Sequence, residues 1–153
     1  MQIFRQYDRL IRFLSQYNSL PLLLIRLVLA YGFLNPALMK LKDVNGIAEW
    51  FESIGIPMPL LNAWLATGTE TLGVILLTLG LGSRLISIPL MITMVVAIVT
   101  VHGANGFEAG ENGYEIPLYY IIFLITILFY GSGKLSLDYL IRQKKLKNQG
   151  MNH

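Results

Sequence analysis

Four long apolar runs, at about Leu20 to Leu41, Leu60 to Leu81, Leu85 to Val101 and Tyr114 to Gly131, constrain this chain more than any other feature. Each is close to the ~17 to 25 residues with which a helix crosses a bilayer. Barrel strands would show about 10 residues of alternating polarity, whereas these runs are continuously apolar. Helices remain, because a backbone in lipid must satisfy its own hydrogen bonds. Of the 153 residues, 54% are apolar or aromatic and 14% are charged, against roughly 25% charged in soluble domains. Much of the surface therefore need not face water. The expected fold is an all-α membrane protein, a four-transmembrane-helix antiparallel bundle with short interfacial amphipathic helices. Residues 1–19 are expected to form a cytoplasmic amphipathic interfacial helix, 20–133 the transmembrane domain and 134–153 a basic cytoplasmic tail. Gly80-Leu81-Gly82-Ser83 is too short for anything but an antiparallel hairpin.

The formal charge of +3 matters less than its distribution. With the N-terminus inside, the cytoplasmic segments carry Arg5, Arg9, Arg12, Arg84, Lys134, Arg142, Lys144, Lys145 and Lys147, and the outer loops only Lys40 and Lys42. Positive charges resist translocation, so both ends are expected in the cytoplasm. Basic residues flanking apolar runs read as membrane anchors, and nucleic acid is not an expected partner. Cysteine is absent, which excludes disulfides, thiolate nucleophiles and iron-sulfur ligation by this chain. The first apolar run exceeds the length of a signal-peptide core, so it is expected to remain in the mature protein.

Two segments outside the runs have helical periodicity. In the first, Phe4, Tyr7, Leu10, Ile11 and Leu14 share one face and Arg5, Arg9, Arg12 and Gln16 the other, an interfacial pattern. In the second, Asn45 to Ile54, the apolar face is Ile47, Trp50, Phe51 and Ile54, and a short lid on the outer membrane surface is expected.

Function is sought where the bilayer's rules are broken, at Arg26 in the first run and Glu70 in the second. A charge at a helix centre costs about 2.5 to 3.5 kcal/mol on insertion scales. Counting rise along the two helices puts their heights about 6 Å apart, within reach of an arginine, and they are expected to pair. In the competing reading Arg26 snorkels to the cytoplasmic interface and Glu70 is protonated. Ala63, Ala66, Thr67 and Gly73 share the Glu70 face, allowing close helix approach or leaving room for a ligand. The loop after His102 gathers Glu108, Glu111, Tyr114 and Glu115, and an imidazole beside carboxylates relays protons or holds metal. One internal histidine, no cysteine and no fixed spacing argue against a metal, and His153 is terminal. The methionines suit packing, and Trp50, Trp64, Tyr119, Tyr120 and Tyr130 suit an aromatic belt.

The chain resembles the DoxX family of small four-span bacterial membrane proteins over essentially Leu20 to Leu137. The resemblance rests on Ile25-Arg26-Leu27-Val28-Leu29, Leu38-Met39-Lys40-Leu41, Trp50-Phe51 with Gly55-Ile56-Pro57, and Glu70-Thr71-Leu72-Gly73. Gly80-Leu81-Gly82-Ser83-Arg84, Val101-His102 with Asn105-Gly106-Phe107, and Gly113-Tyr114-Glu115 complete it. Where such proteins carry a glycine, often preceded by histidine, three residues before the lysine of the first span, this chain has Pro36-Ala37. The resemblance implies a bacterial inner-membrane location. It also implies kinship with a subunit of thiosulfate:quinone oxidoreductase and with membrane partners of soluble redox or detoxifying enzymes. The leading expectation is a quinone-linked subunit of a membrane redox system, with quinone as cofactor and nothing covalently bound. A soluble or membrane redox partner, the lipid bilayer and further copies of the chain are the expected associations. Arg26, Glu70 and His102 form the expected catalytic set, and Arg26, Glu70, Tyr114, Glu115, Lys40 and Trp64 the ligand-binding set. A non-catalytic scaffold or assembly partner for a soluble enzyme, and a proton-coupled small-solute transporter, are the alternatives.

Overall fold

The computed structural model describes residues 2–149, without the side chains at 2–4 and 10. His153 and the side chains of Phe4 and Leu10 therefore lie outside the described residues. The described residues are mostly helical, with no strand among them. An N-terminal helix, α1 (Gln2–Gln16), leads through a two-residue turn into α2 (Ser19–Lys42). A short α3 (Val44–Ser53) follows, then α4 (Pro59–Leu79), α5 (Ser83–Ala97), α6 (Glu115–Tyr130) and α7 (Leu137–Asn148).

Three helical stretches are long and apolar enough to cross a membrane: Ser19–Lys42, Pro59–Leu79 and Ser83–Asn105. The third is α5 continued through a π-helical turn at Ile98–His102 and a 3-10 turn at Gly103–Asn105. The fourth apolar run forms a shorter helix of 16 residues, about 24 Å long at 1.5 Å per residue. Its end is set by Gly131, whose φ of 79° leaves the helical region.

α2 packs on α4, α4 on α5 and α5 on α6, with a lighter contact returning from α6 to α2. Their shared core is Leu29, Ala30 and Phe33 of α2, Leu77 of α4, Ile86 and Leu90 of α5, and Leu124 and Ile127 of α6. Phe33 meets Tyr120 edge-on at 5.3 Å between ring centroids. Tyr120 lies against Gly32 so closely that a Cβ there would collide with its hydroxyl. Outside this core the large side chains are exposed, Leu24, Tyr31, Leu65, Leu85 and Phe129 among them, while Arg26, Thr67, Glu70, Ser83 and Ser87 are buried. That inversion of a soluble protein's plan fits a chain whose solvent is lipid.

The hairpin between α4 and α5 forms as the sequence predicts, and its geometry positions the charged groups described below. Leu81 N–H donates to Leu76 C=O at 3.0 Å and Gly80 N–H to Leu77 C=O at 3.3 Å. This pairing closes a helix with a left-handed residue, here Gly80 at φ 66°. The segment expected as a surface lid packs on the first turns of α4. Val44, Ala48 and Phe51 bury against Ala63, and Asp43 caps α3 by accepting Gly46 N–H at 2.8 Å. Trp50, grouped with the apolar face in the sequence, is 42% exposed.

Candidate functional site

The buried faces of α2 and α4 decide where the intramembrane charges go. On α2 the buried stripe is Arg26, Ala30, Phe33 and Ala37, advancing by four and three residues in turn, and the next position along it is Lys40. On α4 the stripe is Ala63, Thr67, Glu70, Gly73 and Leu77. Small residues in both stripes let the backbones approach. Thr67 turns its hydroxyl back to Ala63 C=O at 2.6 Å, so it makes no demand on the neighbouring helix.

Glu70 pairs with Lys40. The Lys40 ammonium donates to Oε1 at 2.9 Å and to Oε2 at 2.7 Å, and the two side chains are 16% and 5% exposed. Such charge-assisted bonds are roughly twice as strong as neutral ones. An ammonium has three N–H donors, so two on the carboxylate leave one for another acceptor, on the lysine side where the pair is reachable. Among the described residues this is the salt bridge of the structure.

The expected Arg26–Glu70 pair does not form. Arg26 Nη1 donates to Leu77 C=O at 3.3 Å and Nη2 to Leu135 C=O at 2.6 Å, and the residue is fully buried. The physical reason is the lean of helical side chains toward their own N-terminus. Arg26 leans toward the end of the molecule where α2 begins. Glu70, on an antiparallel helix, leans the other way. Lys40, fourteen residues or about 21 Å farther along α2, leans back toward Glu70 and meets it. The alternative in which Arg26 runs to the interface is right in direction only, because protein covers the guanidinium there.

What covers it is the chain after α6. Asp138 accepts Gly82 N–H at 3.0 Å through Oδ1 and the Ser132 hydroxyl at 2.9 Å through Oδ2, and its own N–H donates to Gly80 C=O at 3.1 Å. Ser136 caps α7 by accepting Tyr139 N–H at 3.3 Å. A Cβ on Gly80 would collide with Arg26 Nη1. Arg26 is thus the tie between α2, the end of α4 and the segment before α7.

His102, Tyr114 and Glu115 form a separate cluster that folds the loop between α5 and α6. His102 Nδ1 bonds to Asn112 C=O at 2.8 Å. Glu115 accepts Ala109 N–H at 3.0 Å and the Tyr119 hydroxyl at 2.9 Å. Tyr114 packs edge-on against Phe107. None of the three hydrogen-bonds to Lys40 or Glu70. Among the described residues no three His, Asp or Glu side chains converge on a metal position. Trp64 is 59% exposed.

Residues 21–103, which hold Arg26, Lys40 and Glu70 together with the hairpin, match the profile of the DoxX family. The chain belongs to the DoxX family. Among its relatives, an uncharacterized protein of Haemophilus influenzae is 34% identical over 130 residues, covering 82% of this chain and 86% of the relative. CatD of Bacillus subtilis, provisionally named an oxidoreductase, is 28% identical, covering 82% and 91%. An uncharacterized membrane protein of Mycobacterium tuberculosis is 32% identical, covering 74% and 77%. No solved structure matches the chain.

In this DoxX protein, then, the expected site residues other than Trp64 divide into three places. Lys40 and Glu70 meet in the helix interface, Arg26 ties the opposite end, and His102, Tyr114 and Glu115 organise a loop. Counting Lys40 among the loop charges hid its role as Glu70's partner. The signal that finds it is its place on the Arg26 stripe.

Proposed function

We propose that this DoxX protein is a four-span subunit of a bacterial inner-membrane redox system that reduces quinone, with both termini cytoplasmic and the Lys40–Glu70 pair as its working site. The buried pair carries the reading. A bidentate ion pair between apolar helices keeps charge and exchangeable protons at membrane depth, where ionisable groups mark sites of chemistry or transport. The name given to CatD supports redox chemistry. The nine basic residues at the end that bears the termini, against Lys40 and Lys42 at the other, support the orientation.

In this reading a quinone carbonyl oxygen takes the free N–H of Lys40. Reduction to quinol needs two electrons and two protons. The electrons come from a donor protein or small reductant, since the chain carries no redox centre of its own. As that carbonyl oxygen gained charge, the ammonium would stabilise it and deliver one proton, with Glu70 holding the lysine in place. The second carbonyl oxygen would take its proton from water, and Lys40 would be reprotonated from water on its exposed side. Arg26 takes no part in this step.

The test is quinone reduction by the purified chain in nanodiscs, with sulfur donors and with or without membrane and soluble extract of its source. Wild type should bind and reduce a short-chain quinone, and Glu70→Gln should lose at least ~10-fold in rate while keeping its fold. Wild type that neither binds nor reduces quinone under any of these conditions overturns the proposal. A second reading, a scaffold whose ion pair fixes the register of α2 on α4, is favoured by the mutual satisfaction of Lys40 and Glu70. It predicts that a Lys40→Met, Glu70→Gln double variant keeps every partner interaction.

A further inference from the structure

Two charged helices leave the same end of the molecule from adjacent points. α1 joins α2 just before Ser19, and Ser19 Oγ accepts Lys134 N–H at 3.0 Å, in the segment that leads to α7. The roots of α1 and α7 are therefore one hydrogen bond apart. On α1, Tyr7, Ile11 and Leu14 are exposed, with exposed Arg5, Arg9 and Arg12 around the other side. On and before α7, Lys134, Arg142, Lys144, Lys145 and Lys147 are exposed, and Arg84 lies at the same end. The acidic residues there are Asp8 and Asp138, and Asp138 is engaged by Gly82 and Ser132. The excess is seven positive charges.

Leu20 and Leu24 are likewise exposed on the first turns of α2, a helix long and apolar enough to cross a membrane, so exposed apolar side chains occur on both sides of the turn that joins α1 to it. A nucleic acid would answer the cations and leave Tyr7, Ile11 and Leu14 in water. A bilayer surface answers both, offering acyl chains to the apolar row and phosphates to the basic one. We propose that α1 and α7 together form a binding surface for anionic phospholipid headgroups, with α1 lying in the plane of the interface. This goes beyond the redox reading and does not depend on it.

The full chain lacks cysteine, so single nitroxide labels at Ile11→Cys and Arg9→Cys report the depth of α1 directly. In nanodiscs containing about a quarter phosphatidylglycerol, the label at 11 should be accessible to oxygen and shielded from a water-soluble nickel chelate, and the label at 9 the reverse. An Arg5→Gln, Arg9→Gln, Arg12→Gln variant should retain phosphatidylglycerol at least ~10-fold less well than wild type, taking roughly a 5-fold loss per basic residue as the upper scale. The matching triple Lys variant, which keeps the charge, should retain it as wild type does. Nickel access at position 11 in these bilayers, wild-type retention by the Gln variant, or shielding at 11 that appears only when a soluble protein fraction is added, would each overturn the proposal.

Discussion

Arg26 and Lys40 occupy the same stripe of α2, yet they are used in opposite ways. Arg26 spends its guanidinium on the backbone carbonyls of Leu77 and Leu135, groups that cannot change charge. Lys40 meets a carboxylate, a partner whose attraction depends on protonation. Arginine's fixed charge and planar fork suit a permanent tie between chain segments, and lysine's compact ammonium suits a site that gives and takes protons. Two cations on one helix face thus differ in both burial and acceptor, Arg26 being fully buried against carbonyls and Lys40 partly exposed against a carboxylate.

The largest effect expected from breaking this division is on stability at the Arg26 end. Arg26→Ala removes two charge-assisted bonds and leaves a void, and should cost about 3 to 4 kcal/mol, measured by reversible unfolding in mixed micelles. Quinone reduction per folded molecule should stay unchanged; a selective loss of rate would place Arg26 back in the working site. Lys40→Met leaves Glu70 unpaired and should cost about 3 kcal/mol, with the Lys40→Met, Glu70→Gln double variant recovering about 2 kcal/mol of it. Additive losses at these two positions would dissolve the pair, whereas Arg26→Ala and Glu70→Gln should add within about 0.5 kcal/mol.

Gly80→Ala sharpens the same contrast at the backbone. It forces a Cβ into a left-handed position and against Arg26, and should cost about 2 kcal/mol, visible as a lower unfolding midpoint with full activity. Tyr119→Phe removes one exposed bond to Glu115 and should cost no more than about 0.5 kcal/mol. A larger loss there would mean that the loop cluster supports the site.

Much of this molecule was legible from residue order. Run length and the missing charge imply helices in lipid, and Gly80 and Gly82 mark the hairpin. The order of motifs from Arg26 to Tyr114 carries the DoxX resemblance, and the rarity of intramembrane charge singles out Arg26 and Glu70. The fourth run was legible to within one residue at each end, Tyr114 to Gly131 against a helix over Glu115–Tyr130, although its 16 residues fall short of the three helices long enough to cross a membrane. The segment from Lys134 to Asp138 read as tail because its polar residues resemble any loop, and only its contacts with Arg26, Gly80 and Gly82 reveal that it covers the end of the helix bundle.

The sequence by itself determined that two charges lie buried in apolar helices and must be satisfied there, because lipid offers no water to do it. Which groups satisfy them was decided by tertiary structure. Height along a helix locates a Cα, while the lean of each side chain, read against an antiparallel neighbour, locates its charge. That lean sends Arg26 away from Glu70 and brings Lys40 to it.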